Sequence, residues 1–185
     1  MLNTLARNNI LTGLIWEIPT QNDMDIGYMK WMANIRRSYR MYVYTIQDET
    51  GFHELTGYSV KTTAGCESFA VHLRNLYGDG IYYFNACEKK IYLLMIMDGI
   101  IISGSDCVIS QSFYDEIVSS LPDSKYARLQ VSEITPAQID TIAESCKENQ
   151  LIYKKKKRMF WTVVGGGVLL LLIVSSIFLY SIISG

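Results

Sequence analysis

The sequence has few of the residues on which common cofactor sites depend. Among 185 residues it contains only two histidines and four cysteines, and no two cysteines form a C-x-x-C pair. His53 and His72 do not complete a zinc-ligand pattern with them. Neither the phosphate-binding loop G-x-x-x-x-G-K-[ST] nor the dinucleotide fingerprint G-x-G-x-x-G occurs. We therefore expect no metal, no cofactor and no catalytic residues, and predict that the protein is not an enzyme.

Linkers and targeting signals are also scarce. The chain has three prolines, no low-complexity linker and no internal repeat. Its first ten residues, MLNTLARNNI, lack the apolar core of a cleavable signal peptide, so we expect none. The cysteines are expected to be reduced thiols, mostly half-buried, as is usual in the cytoplasm. Residues 1–153 suffice for one buried domain, or for two subdomains at 1–79 and 80–153.

A long uncharged segment near the end of the chain is the strongest signal. Residues 160–183 comprise 24 residues without a charge, and about 20 apolar residues cross a bilayer as a helix. Five basic residues stand directly before it: Lys154, Lys155, Lys156, Lys157 and Arg158. Trp161 suits the aromatic belt at the membrane interface. The sequence therefore predicts a transmembrane helix at 160–183 with a basic anchor at 154–158.

The basic run also predicts the orientation, because positive charge stays on the cytoplasmic side and attracts anionic lipid. Without the run's five charges, residues 1–153 hold 12 basic and 18 acidic residues, a net charge of −6. Such a domain is expected to bind no nucleic acid and to favour basic partner surfaces. Two residues follow the apolar segment, so the sequence leaves open whether the chain is tail-anchored or cut just beyond its membrane helix.

Hydrophobic patterns in the first half predict β-α-β-β-α. Strands are expected at 11–18, 41–47 and 55–62, and helices from Asp23, capped by Asn22, and at 66–77. The residues DETG at 48–51 are typical of a turn, and Gly78 suits a left-handed helix end.

The second half predicts β-β-β-α-β-α. Strands are expected at 81–87, 91–97, 100–103 and 127–131, with 91–97 apolar enough to be covered on both faces. Asp98-Gly99 predicts a type I′ hairpin turn. Capping boxes at Ser112 and Thr135 predict the starts of two helices. The whole pattern indicates an α/β domain with a mixed sheet, followed by one transmembrane helix.

Three aspartates stand near glycines and are candidates for metal or phosphate contacts. Asp79 lies in YGDG, Asp98 precedes Gly99, and Asp106 follows Gly104-Ser105. Cation sites need several convergent oxygens, which the sequence does not bring together here. We interpret Asp79 and Asp98 as turn residues and Asp106 as a loop cap.

Residues 82–121 are the segment that resembles a known family, and they read YYFNACEKKIYLLMIMDGIIISGSDCVISQSFYDEIVSSL. Two strands, the second ending in DG, a third strand, then GSD and a helix resemble the cytoplasmic domains of type IVb pilus assembly proteins. The resemblance covers about residues 80–145 and the membrane layout. Such bitopic inner-membrane proteins serve bundle-forming and toxin-coregulated pili, and are similar in role to the L-type protein of type II secretion and the actin-like M-type pilus protein.

The resemblance implies a reduced actin-like fold and a scaffold in the bacterial inner membrane. It also implies docking to a cytoplasmic assembly ATPase and a polytopic platform protein, with the N-terminal domain in the cytoplasm. Two features depart from a nucleotide-binding member. About 150 residues are too few for both halves of an actin-like ATPase, and Ile100-Ile101-Ile102 stands where a phosphate-binding hairpin needs small or hydroxyl residues. Nucleotide hydrolysis is therefore not expected.

The sequence also allows two other hypotheses about function. A tail-anchored membrane-trafficking protein has the same layout, but a vesicle-fusion protein needs a long heptad helix before its anchor, which residues 136–153 do not provide. A membrane-bound enzyme needs a polar pocket that the sequence does not reveal. Membrane lipid is an expected partner in each case, and a homo-oligomer is left open.

Overall fold

The computed structural model describes residues 1–18, 25–48, 51–60 and 66–184, and within its strands and helices the side chains at 47–48, 52–53, 168–170 and 172–184 lie outside the description. The chain divides into two compact units, Met1–Cys146 and Lys147–Gly185. The first unit is a mixed α/β domain, as the sequence predicts.

Helices and strands alternate irregularly along the described chain, and the last helix has residues in both units. The helices are α1 (Leu2–Arg7), α2 (Ile26–Ser38), α3 (Phe69–Tyr77), α4 (Gln111–Ser120) and α5 (Pro136–Ser184), with a 3₁₀ turn at Leu121–Asp123. The strands are β1 (Ile10–Leu11), β2 (Ile15–Trp16), β3 (Arg40–Asp48), β4 (Gly51–Ser59), β5 (Glu67–Ser68), β6 (Gly80–Cys87), β7 (Lys90–Met97), β8 (Ile100–Ile101), β9 (Cys107–Ser110) and β10 (Val131–Glu133).

The central sheet is built around the hairpin of β6 and β7. Strand β10 pairs parallel with β6, while β8 and β9 pair antiparallel with the other side of β7. Alternate residues of β7 enter two separate cores, with Tyr92 and Leu94 on one face and Ile91 and Leu93 on the other. The prediction that this strand is covered on both faces is confirmed, because residues 91–96 are all buried.

A second, three-stranded antiparallel sheet has the order β2-β4-β3. One face contributes Ile46 and Leu55 to the larger core, which also contains residues of α3 and of the first turns of α5. Helix α2 packs on the other face through Met32 and Ile35, which contact Tyr58. The larger core therefore takes residues from both halves of the domain.

The predicted turns are present. Asp98 and Gly99 have φ values of 53° and 70°, which confirms the type I′ hairpin. The Asp79 carboxylate accepts both of their backbone N–H groups, at 2.6 and 2.9 Å. Gly78 ends α3, as predicted, but with a φ of 73° and a ψ of −146° its backbone lies outside the left-handed helical region. Asp79 and Asp98 are therefore turn residues, as the sequence indicates.

One of the two predicted capping boxes is confirmed and the other is wrong. Thr135 accepts the backbone N–H of Gln138 at 3.3 Å, and the Gln138 side chain accepts that of Thr135 at 2.8 Å. The earlier helix, α4, is capped by Ser110, which accepts the N–H of Phe113 at 3.2 Å, and Ser112 lies within it. The helix begins earlier because β9 ends at Ser110, which turns the chain there.

The N-terminal half differs from its predicted pattern in detail. The predicted strand at 11–18 is two short strands, because Gly13 turns the chain with a φ of 74°. Residues 66–77 begin with β5 before α3 starts, and α1 has no counterpart in the predicted pattern. The predicted cap Asn22 lies outside the described residues, as do residues 49–50 of the DETG turn. Asp25 caps α2 by accepting the N–H of Gly27.

The second unit consists of helix α5 from residue 147 onwards. In the part of the chain that the structure describes, no helix combines the length and the apolar character needed to cross a membrane. Most side chains of the predicted segment 160–183 lie outside the described residues.

Candidate functional site

The Asp106 side chain, in the loop between β8 and β9, accepts four hydrogen bonds. It is 3% exposed. Its Oδ1 accepts the backbone N–H of Gly13 at 2.6 Å and the hydroxyl of Tyr92 at 2.7 Å. Its Oδ2 accepts the N–H of Leu14 at 3.1 Å and the indole N–H of Trp16 at 3.0 Å. One carboxylate therefore holds the N-terminal segment against the central sheet.

The residues before Asp106 explain how it reaches this position. Gly104 turns the chain with a φ of 82°, which disfavours residues with a Cβ. The Ser105 hydroxyl donates to the carbonyl of Ile102 at 2.7 Å and accepts the N–H of Met95 at 3.0 Å. The G-S-D sequence therefore makes a tight loop that is fixed to β7 and directs the next carboxylate inward.

The electrostatics of Asp106 are those of a buried, fully bonded acceptor. Burial raises the pKa of Asp106, and the hydrogen bonds from Tyr92, Gly13, Trp16 and Leu14 act in the opposite direction. Two of the partners are backbone N–H groups, and the indole N–H is also an obligate donor. The carboxylate oxygens are occupied by these donors, so Asp106 serves as a loop cap rather than a metal or phosphate ligand. The loop-cap prediction is confirmed.

An apolar cleft of about 570 Å³ lies beside Asp106. Its exposed rim includes Ile18, Trp31 and Val108, which are 43%, 45% and 43% exposed. Trp31 contacts the ring of Tyr28 with centroids 5.8 Å apart. An apolar lining with few polar groups suits apolar side chains of a partner or a small apolar ligand. Its described lining is Gly13, Leu14, Ile15, Ile18, Tyr28, Trp31, Ser103, Gly104, Asp106, Cys107 and Val108.

A second polar cluster connects β5, α3 and α5. His72 is 6% exposed. Its Nε2 lies 3.1 Å from Glu67 Oε2, and its Nδ1 lies 3.2 Å from Ser145 Oγ. A carboxylate, an imidazole and a hydroxyl in this order also occur in serine hydrolases.

The surroundings of Ser145 do not fit a hydrolase. A catalytic serine stands on an exposed turn beside backbone N–H groups that stabilise the oxyanion. Ser145 lies inside α5, where those N–H groups bond to carbonyls four residues earlier. We interpret the Glu67–His72–Ser145 contacts as a structural link between three elements.

Tyr44 lies close to this cluster. Within the described residues its hydroxyl is the one buried side-chain oxygen or nitrogen without a hydrogen-bond partner. Burial, and then the charge of Glu67, raise the pKa of Tyr44, so the hydroxyl stays protonated.

All four cysteines are thiols, in different surroundings. Cys66 and Cys146 are buried, Cys107 is half-buried and Cys87 is exposed. Burial, together with the charge of Glu67, raises the pKa of Cys146 to about 12. A thiol with so high a pKa is almost wholly protonated near neutral pH and is a poor nucleophile.

The predicted anchor residues lie on α5. Trp161 is 62% exposed, and the five basic residues at 154–158 are all exposed. Consecutive helical residues are about 100° apart, so five of them surround the helix. The charges are therefore not confined to one face.

The sequence pointed to Asp106 but not to its partners, and it gave no sign of the Glu67–His72–Ser145 cluster. The partners of Asp106 are 14 to 93 residues away in the chain, too far for local patterns to connect. The one usable signal was a carboxylate placed directly after Gly-Ser at the end of an apolar strand.

In comparisons with known proteins, the chain matches no protein-family model, and neither a curated protein nor a solved structure is significantly similar to it.

Proposed function

We propose that this protein is a non-enzymatic, single-pass membrane scaffold whose α/β unit docks other proteins on the cytoplasmic side. The observation that carries the proposal is the order of residues along the last helix. A run of five basic residues, 154–158, is followed by 24 uncharged residues, 160–183. Basic residues gain about 1 kcal/mol each beside an anionic leaflet, and an apolar segment of this length matches the hydrocarbon core.

The charge of the rest of the chain supports docking to protein rather than to lipid or nucleic acid. Residues 1–153 carry 12 basic and 18 acidic residues. A net negative domain is repelled by anionic membranes and by phosphate backbones, and is attracted to basic protein surfaces. The apolar cleft beside Asp106 adds a surface that can receive apolar side chains.

The proposed partners come from the resemblance of residues 80–145 to type IVb pilus assembly proteins. They are an assembly ATPase in the cytoplasm and a polytopic platform protein in the bacterial inner membrane. A reduced actin-like fold for the α/β unit is part of the same proposal. The bonding of Asp106 supports a scaffold over an ATPase, because its carboxylate is occupied by four donors from the chain itself.

The test is native co-purification of the full-length chain from its own membrane in mild detergent, followed by mass spectrometry. The expected result is recovery of a hexameric ATPase and a polytopic membrane protein. Membranes from cells without the chain are the control. Recovery of vesicle-trafficking proteins instead, or of the chain alone, would overturn the proposed role.

Ionic strength tests the electrostatic part of the proposal separately. If the acidic domain steers docking, association with the ATPase slows and its recovery falls as salt is raised. Recovery that does not change with salt would leave the partner assignment intact and would reject charge as the reason for it.

A further inference from the structure

Strand β3 forms one edge of the three-stranded sheet. It spans nine residues, Arg40–Asp48, and in the described part of the chain it pairs with β4 on one side only. Long edge strands are templates for pairing with another strand, and proteins usually protect them with proline, lysine or a bulge. The sequence of β3, RMYVYTIQD, contains neither proline nor lysine, and its pairing with β4 runs without a bulge.

The register shows which backbone groups of β3 point outward. Hydrogen-bonded and non-hydrogen-bonded pairs alternate along an antiparallel ladder, so every second residue of β3 turns its N–H and C=O away from β4. The N–H of Glu17 donates to the carbonyl of Thr56, which therefore points towards β2 and away from its β3 neighbour Val43. The pair Val43–Thr56 is therefore not hydrogen-bonded, and the residues whose backbone groups point outward are Met41, Val43, Thr45 and Gln47.

The side chains of β3 hold this edge in place. Tyr42 and Tyr44 are half-buried against the larger core, and Ile46 is 4% exposed within it. Met41 and Val43 stand on the opposite face and are 58% and 46% exposed. The strand is thus fixed from one face, while two apolar side chains on its other face are exposed.

We propose that a second copy of this chain pairs with β3 along this edge, antiparallel and with the two-fold axis at Tyr44. Met41 then faces Gln47 of the other copy, and Val43 faces Thr45. All four outward residues of each strand enter hydrogen-bonded pairs, giving about eight bonds between the copies. The two three-stranded sheets become one sheet of six strands with closed two-fold symmetry.

The sequence of β3 favours its own copy as the occupant. The strand has a base at its first position, 40, and an acid at its last, 48. Antiparallel pairing centred at residue 44 places position 40 of each copy opposite position 48 of the other, so opposite charges meet at both ends. A shift of two residues in either direction loses this match and leaves outward groups unpaired.

The first test measures the oligomeric state of the full-length chain in mild detergent by sedimentation equilibrium over a range of concentrations. The wild type is expected to form dimers, and Val43→Pro is expected to remain monomeric. Proline at 43 removes an N–H that points outward and leaves the bonds to β4 in place. Val43→Thr keeps that N–H and is the matched control, expected to dimerise like the wild type. A wild type that is monomeric throughout, or a dimeric Val43→Pro, overturns the proposal.

The second test reads the register and does not depend on the folding of the proline variant. Copies with Val43→Cys are mixed with copies with Thr45→Cys, both in a Cys87→Ser background, and oxidised. Paired residues have Cα atoms about 5.5 Å apart, which suits a disulfide. We expect strong cross-linking between Val43→Cys and Thr45→Cys copies. Between Val43→Cys and Met41→Cys copies, we expect at least about tenfold less. Equal or absent cross-linking rejects the register. Neither test needs the ATPase, so their failure is distinct from failure of the proposed function.

Discussion

Replacing Asp106 with asparagine tests the central hydrogen-bond network of the α/β unit. The change keeps the size of the side chain and removes its charge. In the wild type the carboxylate accepts four bonds, from Gly13, Leu14, Trp16 and Tyr92. An amide offers one acceptor oxygen and two donors in the same space, so it cannot satisfy four donors.

The magnitude follows from the best arrangement that asparagine can adopt. Its oxygen can keep the bonds from Leu14 and Trp16, and its NH₂ group can donate to Tyr92 if that hydroxyl reverses. The N–H of Gly13 then faces an N–H and is left buried without an acceptor, which costs about 1–3 kcal/mol. The two retained bonds also lose their charge assistance, while relief of the buried charge offsets part of the loss. We expect the free energy of unfolding to fall by about 2–3 kcal/mol.

The assay is urea unfolding of the full-length chain in mild detergent, followed by tryptophan fluorescence. Asp98→Asn is the matched control. The Asp98 side chain is 62% exposed, pairs with the exposed Arg128, and has a φ of 53° that asparagine tolerates. Its loss is expected to stay within about 0.5 kcal/mol. Equal losses for the two variants would refute the account of Asp106 as the residue that holds the N-terminal segment.

Two further predictions concern close packing and thiol reactivity. A Cβ on Gly57 would lie 2.8 Å from Leu14 Cδ2 and 3.1 Å from Trp16 Cζ3. Because both distances are too short, Gly57→Ala is expected to lower the free energy of unfolding by about 1–3 kcal/mol. An unchanged midpoint of urea unfolding would contradict this prediction. Burial and the charge of Glu67 raise the pKa of Cys146 to about 12. Because maleimide reacts with the thiolate, at about pH 8 it should modify exposed Cys87 at least about tenfold faster than buried Cys146. Mass spectrometry of partly labelled protein measures both rates, and similar rates would contradict the buried position of Cys146.

Local chemistry was enough to predict the elements whose causes lie within a few residues. Asp98-Gly99 requires positive φ at both positions, and Thr135-Pro136 starts a helix through bonds to its own first turn. The apolar run of β7 indicated a strand between two cores. In each case the residues that set the structure are adjacent in the chain.

The elements that sequence reasoning missed depend on distant partners. Ser110 rather than Ser112 caps α4 because β9 pairs with Lys90 up to that residue. Strand β5 exists because it pairs with β1 more than 50 residues earlier. The roles of Asp106 and His72 likewise depend on contacts between segments. Such contacts leave no periodic pattern in a single sequence.

Membrane insertion is the central claim of the proposed function, and alkaline carbonate extraction of native membranes tests it most directly. If the last helix spans the membrane, the full-length chain stays with the membrane, and protease added to inverted vesicles removes the domain at 1–153. Release of the chain by carbonate, or protection of that domain from the protease, would contradict a single-pass scaffold with its α/β unit in the cytoplasm.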